Sequence, residues 1–328
     1  MKERLKKYAP YVGYPIFYLV ALLVFSALTF PFGRLKDRVV TSYNAEQRKR
    51  PGPQQELRIE DLSSWRLTGV RAKGVKLLTA SVEPGQPPSE LAVDEARARL
   101  AILPLLVGRR QVNFQADALG GEVEGSFSES SKERTIEVDL DGVDLGALPM
   151  IKDALGGLPM EGKAVGAVKL SLPEGKASKG SGTITVDIND VAIGDGKAKI
   201  KGALALPKVT VGTLSFVAEA KEGILKISKL AAGGKDIELA GEGRVQMREM
   251  ATESLVDVNL RFKINDNYRS KNDVTKSLFG APGSNAPALF ELDPKVKQAK
   301  RPDGFYGFHA RGLLGRLEFQ PAPNASPR

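Results

Sequence analysis

The stretch VDVNLRFKI, from Val256 to Ile264, decides the fold. Val256, Val258, Leu260, Phe262 and Ile264 alternate with Asp257, Asn259, Arg261 and Lys263. Successive side chains of a β-strand point to opposite faces, so a period of two gives one apolar and one polar face. The signature recurs upstream. Ile136, Val138 and Leu140 alternate with Glu137, Asp139 and Asp141, and Ile184, Val186 and Ile188 alternate with Thr185 and Asp187. Strands with one wet face belong in antiparallel sheet. Glycine turns at short intervals predict long meanders. GGEVEG (Gly120–Gly125) and GGKDIELAG (Gly233–Gly241) both read as a glycine turn leading into a strand.

Helix is sparse by the same reading. One short helix is expected to open at Asp144 as a cap, include Leu148 to Leu155 and stop at Gly156 and Gly157. Ile102 to Val107 reads as another short helical turn. Residues 280–303, rich in Pro, Asn and Lys, read as a long loop, and the tail after Phe319 as disordered.

Toward the N-terminus the pattern changes. Tyr8 to Gly33 carries no charge and lies between Lys7 and Arg34; its core, Tyr11 to Phe32, is YVGYPIFYLVALLVFSALTFPF. A helix of this length spans about 33 Å, close to the hydrocarbon thickness of a bilayer. The segment is longer than the apolar region of a cleavable signal, and its Thr29-Phe30-Pro31-Phe32 end lacks a small-x-small site. The expectation is an uncleaved anchor, with Tyr8, Tyr11, Tyr14 and Tyr18 toward one interface. Basic residues flank it: Lys2, Arg4, Lys6 and Lys7 before, Arg34, Lys36 and Arg38 after. A count of four Lys/Arg before the segment against six soon after it (Arg34, Lys36, Arg38, Arg48, Lys49 and Arg50) would leave the large domain in the cytoplasm. That rule is weak for long translocated domains, and the favoured orientation puts the N-terminus in the cytoplasm and the large domain outside.

The chain has 328 residues and a formal net charge of +9. Residues 1–50 hold 10 Lys/Arg and 3 Asp/Glu, or +7; the remainder holds 38 and 36, or +2. The excess therefore sits beside the apolar segment, where anionic headgroups would meet it, and the near-neutral remainder argues against a nucleic-acid partner. With no cysteine, disulfides and thiolate chemistry are excluded, and a single histidine, His309, excludes multi-histidine metal sites.

Other chemical motifs are weak. Asp139, Asp141 and Asp144 form part of a calcium-loop pattern, but the later ligands and terminal Glu are missing. Two of these aspartates fit a wet strand face and the third a helix cap. His309 has no nucleophile motif beside it and reads as a strand residue. Gly180-Ser181-Gly182 precedes a strand rather than a helix, which makes it a turn and not a phosphate loop. Lys221, Lys226, Lys229 and Lys235 are interspersed with Glu219, Glu222, Asp236 and Glu238, so they read as a solvated face. Trp65 is read as an anchor of the first strand. No catalytic residue, cofactor or metal site is expected.

From about Leu57 onward the order of motifs resembles the general secretion pathway protein N family of bacterial type II secretion systems. The resemblance is carried by WRLTGVRAKGVKL (Trp65–Leu77), ARLAILPLLVGRRQVNF (Ala98–Phe114) and Gly120-Gly121, then by Val143, Asp144, Leu145, Leu148 and Pro149. It continues through Gly212-Thr213-Leu214, Gly223-Ile224-Leu225, Gly233-Gly234, Gly241 and Gly243, and ends with Gly304-Phe305-Tyr306 and Gly312-Leu313-Leu314. It implies a single-span inner-membrane protein with a β-rich periplasmic domain, working in the export of folded proteins across the outer membrane. The middle motifs are also similar to AsmA-like envelope proteins, which implies curved sheets with apolar grooves for lipid.

The expected fold is thus mainly β, with a single N-terminal transmembrane helix and a large curved, mostly antiparallel β-sheet domain carrying one or two short helices. The expected boundaries are 1–33 for the cytoplasmic flank and anchor, 34–56 for a juxtamembrane linker, 57–319 for the β-rich domain and 320–328 for the tail. The expected function is non-catalytic: the anchor tethers the domain, and sheet faces or open edges meet other secretion components. The alternative is an AsmA-like lipid-binding or lipid-transfer module whose ligands are acyl chains. An anchored hydrolase ranks last.

Overall fold

The computed structural model describes residues 13–324, apart from 16, 19–20, 23, 26–28, 50–53, 67, 81–87, 149–150, 152–154, 156, 201–203, 206 and 285–287. The chain divides into two compact units, one made of Met1–Val107 with Val112–Asp117, the other of Gly108–Gln111 with Ala118–Arg328.

The first unit holds helix α1 (Phe32–Gln47) and strands β1 (Gln55–Trp65), β2 (Gly69–Thr79) and β3 (Ser89–Leu100). The three strands form an antiparallel meander. On α1 the half-buried residues are Phe32, Leu35, Lys36, Val40, Tyr43, Asn44 and Gln47, the spacing of one helical face. That face meets β1. Asn44 Nδ2 donates to the Leu57 carbonyl at 3.2 Å, and Leu57 N–H donates to Asn44 Oδ1 at 2.7 Å. The carboxamide thus binds both backbone groups of Leu57, as a neighbouring strand would. Tyr43 Oη to Gln55 Oε1 (2.9 Å) and Lys36 Nζ to the Glu60 carbonyl (3.1 Å) extend the dock along the strand. A short helix, α2 (Ile102–Leu105), follows β3, and then β4 (Arg110–Ala118).

The second unit continues with β5 (Gly121–Glu129), β6 (Glu133–Asp144), β7 (Met160–Pro173) and β8 (Ser181–Ile193). β9 (Lys199–Ile200) and β10 (Leu204–Ala205) form a small separate hairpin. Then come β11 (Val209–Lys221), β12 (Ile224–Gly233), β13 (Ile237–Gln246), β14 (Leu255–Ile264), β15 (Tyr306–Leu313) and β16 (Arg316–Pro321). From β5 to β16, omitting β9 and β10, each strand pairs antiparallel with the next. The molecule is therefore mainly β and antiparallel, as the alternation predicts.

Register converts the alternation into two faces. Val138, Val168, Ile184, Ala218, Ile227, Val258, Ala310 and Phe319 lie on one cross-strand row that also includes Gly125 and Gly243. Along it Ala218 and Ala310 fall to 1–2 % exposure, in one cluster with Ala220, Leu225, Ile227, Val256 and Val258. Register shifts in β6–β7, β7–β8, β8–β11, β11–β12 and β12–β13 mark bulges, which bend strands and sharpen their twist.

Both ends of this sheet are tied down. At one end, Gly223 N–H donates to the Gly180 carbonyl and Met247 N–H to the Gly223 carbonyl, each at 2.8 Å, while Ala177 N–H donates to Glu249 Oε1 at 3.0 Å. Three successive connections are thereby stitched together. At the other end sit α3 (Asp266–Arg269), α4 (Asp273–Phe279) and α5 (Pro294–Ala299). Tyr268, 2 % exposed, donates its hydroxyl to the Pro207 carbonyl at 2.7 Å. Phe262 stacks on Tyr306 and Phe308, and Phe290 meets Phe262, Phe279 and Tyr306 edge to face.

Several expectations change. The long loop at 280–303 contains a 3-10 turn at Leu289–Leu292 and α5, so helix is more plentiful than one or two short pieces. Asp144 does cap, its carboxylate accepting Gly146 N–H at 2.9 Å, but over a 3-10 turn, Leu145–Ala147. Most of the helix expected at Leu148–Leu155 lies outside the described residues. β16 runs on through Gln320 and Pro321, into the stretch read as tail. The 34–56 stretch holds most of α1 and the start of β1. Among the described residues no helix is long and apolar enough to cross a membrane. Much of the expected anchor, including all of 1–12, lies outside the described residues.

Candidate functional site

The polar face of the second unit concentrates charge near its last strands. Register places Glu219, Lys226, Arg244, Asp257, Arg311 and Glu318 on one row across β11 to β16. Asp257 is its centre. His309 Nε2 lies 2.7 Å from Asp257 Oδ1, and Arg244 Nε and Nη2 each donate to Asp257 Oδ2 at 3.1 Å. One carboxylate thus joins β13, β14 and β15. The hydrogen bond with His309 is the main reason the Asp257 carboxyl lies below its ordinary range; partial burial opposes it and Arg244 adds to it.

Beside this cluster an open groove of about 520 Å³ is lined by Leu255, Val256 and Asp257 of β14, Arg311 and Gly312 of β15, and Glu318 and Gln320 of β16. It presents cationic, anionic and amide groups side by side. β16 ends the strand order, and among the described residues it pairs only with β15. Its outer edge therefore has backbone groups available to another strand.

General acid or base catalysis needs a reacting group within hydrogen-bond reach of the histidine. Among the described residues His309 hydrogen-bonds to Asp257 and to no hydroxyl. The arrangement presents paired charges of both signs beside an open edge. No metal-holding group of three His, Cys, Asp or Glu occurs among the described residues. Asp139 and Asp141 stand on the exposed face of β6, and Asp144 is occupied as a cap.

Of the basic residues expected to flank a membrane segment, Arg34 and Arg38 are exposed one turn apart on α1, whereas Lys36 turns to the Glu60 carbonyl. Lys2, Arg4, Lys6 and Lys7 lie outside the described residues. The helical cap has a second carboxylate cluster. Glu291 accepts from Tyr306 Oη and Lys300 Nζ, both at 2.7 Å. Burial would raise the Glu291 carboxyl, but these two hydrogen bonds outweigh it and hold it low; burial, with Glu291 adjacent, pushes the Tyr306 hydroxyl up.

The sequence places His309 on a strand but does not show its partner, because Asp257 and His309 are 52 residues apart and meet only through the β14–β15 register. The chain matches no family model and has no significant match among curated proteins or solved structures.

Proposed function

We propose that this chain is a non-catalytic, single-pass inner-membrane component of a bacterial type II protein secretion system, with its β-rich domain in the periplasm. The order of sequence motifs supports the secretion class. The observation that carries the mechanism is the dock of α1 on β1 through Asn44, Tyr43 and Lys36. α1 begins at Phe32, at the end of the apolar segment, so an anchor there would hold the first sheet without a free linker. Tethering raises the effective concentration of partners at the membrane, and weak contacts then suffice. The β16 edge and its mixed-charge groove are the surface this reading offers to another envelope component.

Two experiments test it. A reporter active only in the cytoplasm, fused after Arg328, should be silent; activity would reverse the topology. Cells lacking the chain should fail to export folded proteins across the outer membrane and recover with the wild-type gene. Normal export without it contradicts the secretion role.

The second reading is lipid handling in the manner of AsmA-like proteins. It is favoured by the apolar rows that run from β5 to β16, ending at Phe319, which is half exposed. Phospholipid should then co-purify with an anchorless domain, and its consistent absence removes this reading.

A further inference from the structure

Outside the N-terminal apolar segment, a contiguous exposed apolar feature among the described residues is the turn Ile102-Leu103-Pro104-Leu105-Leu106-Val107 around α2. Leu103, Leu106 and Val107 are 78 %, 78 % and 81 % exposed, and Ile102 and Leu105 are exposed as well. A scattered exposed leucine is ordinary, but a contiguous apolar patch of this kind marks a surface that meets another apolar phase. Of the six residues only Pro104 is half buried, so the apolar side chains of the turn are left to solvent.

The surrounding charge selects the partner. Between Glu95 and Asp117 the chain has no acidic residue and four arginines: Arg97, Arg99, Arg109 and Arg110. Arg97 is engaged with Glu95, but Arg109 and Arg110, two and three residues beyond Val107, are exposed. An apolar tip followed in sequence by exposed arginines is a composition that lies in a membrane interface: leucines enter the acyl boundary while guanidinium groups pair with anionic headgroups. A protein groove could cover the leucines, but it would not in general supply negative charge for the two arginines that follow them.

We propose that the 102–107 turn inserts into an anionic bilayer, giving the domain a membrane contact independent of the N-terminal apolar segment. The inference goes beyond the secretion reading, since it requires a membrane surface but no secretion partner. Through it the sheet of the first unit would be held at a defined height above the lipid.

The absence of native cysteines makes the test direct. The full chain carrying Leu106→Cys is labelled with an environment-sensitive fluorophore and reconstituted into phosphatidylglycerol–phosphatidylethanolamine vesicles; Lys226→Cys, on the exposed face of β12, is the control. The label at 106 should shift to the blue, lose access to iodide and be quenched by nitroxide-labelled lipid, while the control does none of these. Adding Arg109→Glu and Arg110→Glu should abolish the shift at 106, with circular dichroism confirming that the sheet is intact. A label at 106 that stays open to iodide and insensitive to lipid nitroxide overturns the proposal. So does a label shielded from both quenchers, which means protein covers the turn, or a shift that survives the charge reversal. None of these failures touches the tethering reading, which is tested by topology and export.

Discussion

At the residue scale, two polar side chains do what the strand pattern alone cannot. Asn44 closes the exposed edge of β1 by binding both backbone groups of Leu57. Asn44→Ala removes two half-buried hydrogen bonds, at about 0.5–1.5 kcal/mol each. The expected result is a modest loss of stability together with much faster amide exchange at Leu57, read by hydrogen–deuterium exchange. Unchanged protection at Leu57 would mean that α1 does not seal the edge. Asp257 ties three strands through His309 and Arg244. Its folded carboxyl lies below its ordinary value, so its contribution is complete above about pH 4, the unfolded range. The contribution is lost as pH falls through the lowered folded value. Wild type should therefore exceed Asp257→Asn in denaturant midpoint near neutrality, with the gap closing in acid. The gap should be small, because nearly half of the Asp257 side chain faces solvent.

At the element scale, the turn between β11 and β12 is a close-packed joint. Gly223 has φ +77°, and a Cβ there would lie 2.2 Å from the Ser178 carbonyl oxygen. Gly223→Ala must pay a left-handed backbone of about 1–2 kcal/mol and also push apart the β7–β8 and β11–β12 connections. A clear fall in melting temperature is expected; an unchanged value would show that these turns are not held together. The strands of this region were legible because their alternation is local: Ile136 to Leu140, Ile184 to Ile188 and Val256 to Ile264 carry their own face assignment. The cap was not. Its helices are short, and Pro, Asn and Lys dominate the segment. Yet start signals were present. Asn272 and Thr275 make a capping box, and Asp293 caps α5 with Pro294 at its first turn. Too few apolar residues follow each signal to show a helical period, and α4 packs through Phe279 into an aromatic cluster with Phe262, Phe290 and Tyr306, drawn from two strands and a 3-10 turn that the local pattern does not connect.

At the scale of the molecule, the apolar and polar rows divide the labour. The apolar row is the source of stability: Ile227, 7 % exposed, should cost about 2–5 kcal/mol on replacement by alanine, measured by denaturant unfolding. The polar row leaves Asp257, Arg311 and Glu318 beside the β16 edge. The candidate site was only partly legible in sequence, since His309 and Asp257 can each be placed on a strand there but a cross-strand row needs register. In the proposed function this edge meets secretion components while an N-terminal anchor holds the chain at the inner membrane. The most direct measurement places a photo-reactive amino acid at Glu318 of the full-length chain, crosslinks in cells and identifies the captured proteins by mass spectrometry. The account predicts reproducible capture of secretion-channel or inner-membrane platform subunits. Capture of lipid-transport proteins instead, with no secretion subunit, would contradict it.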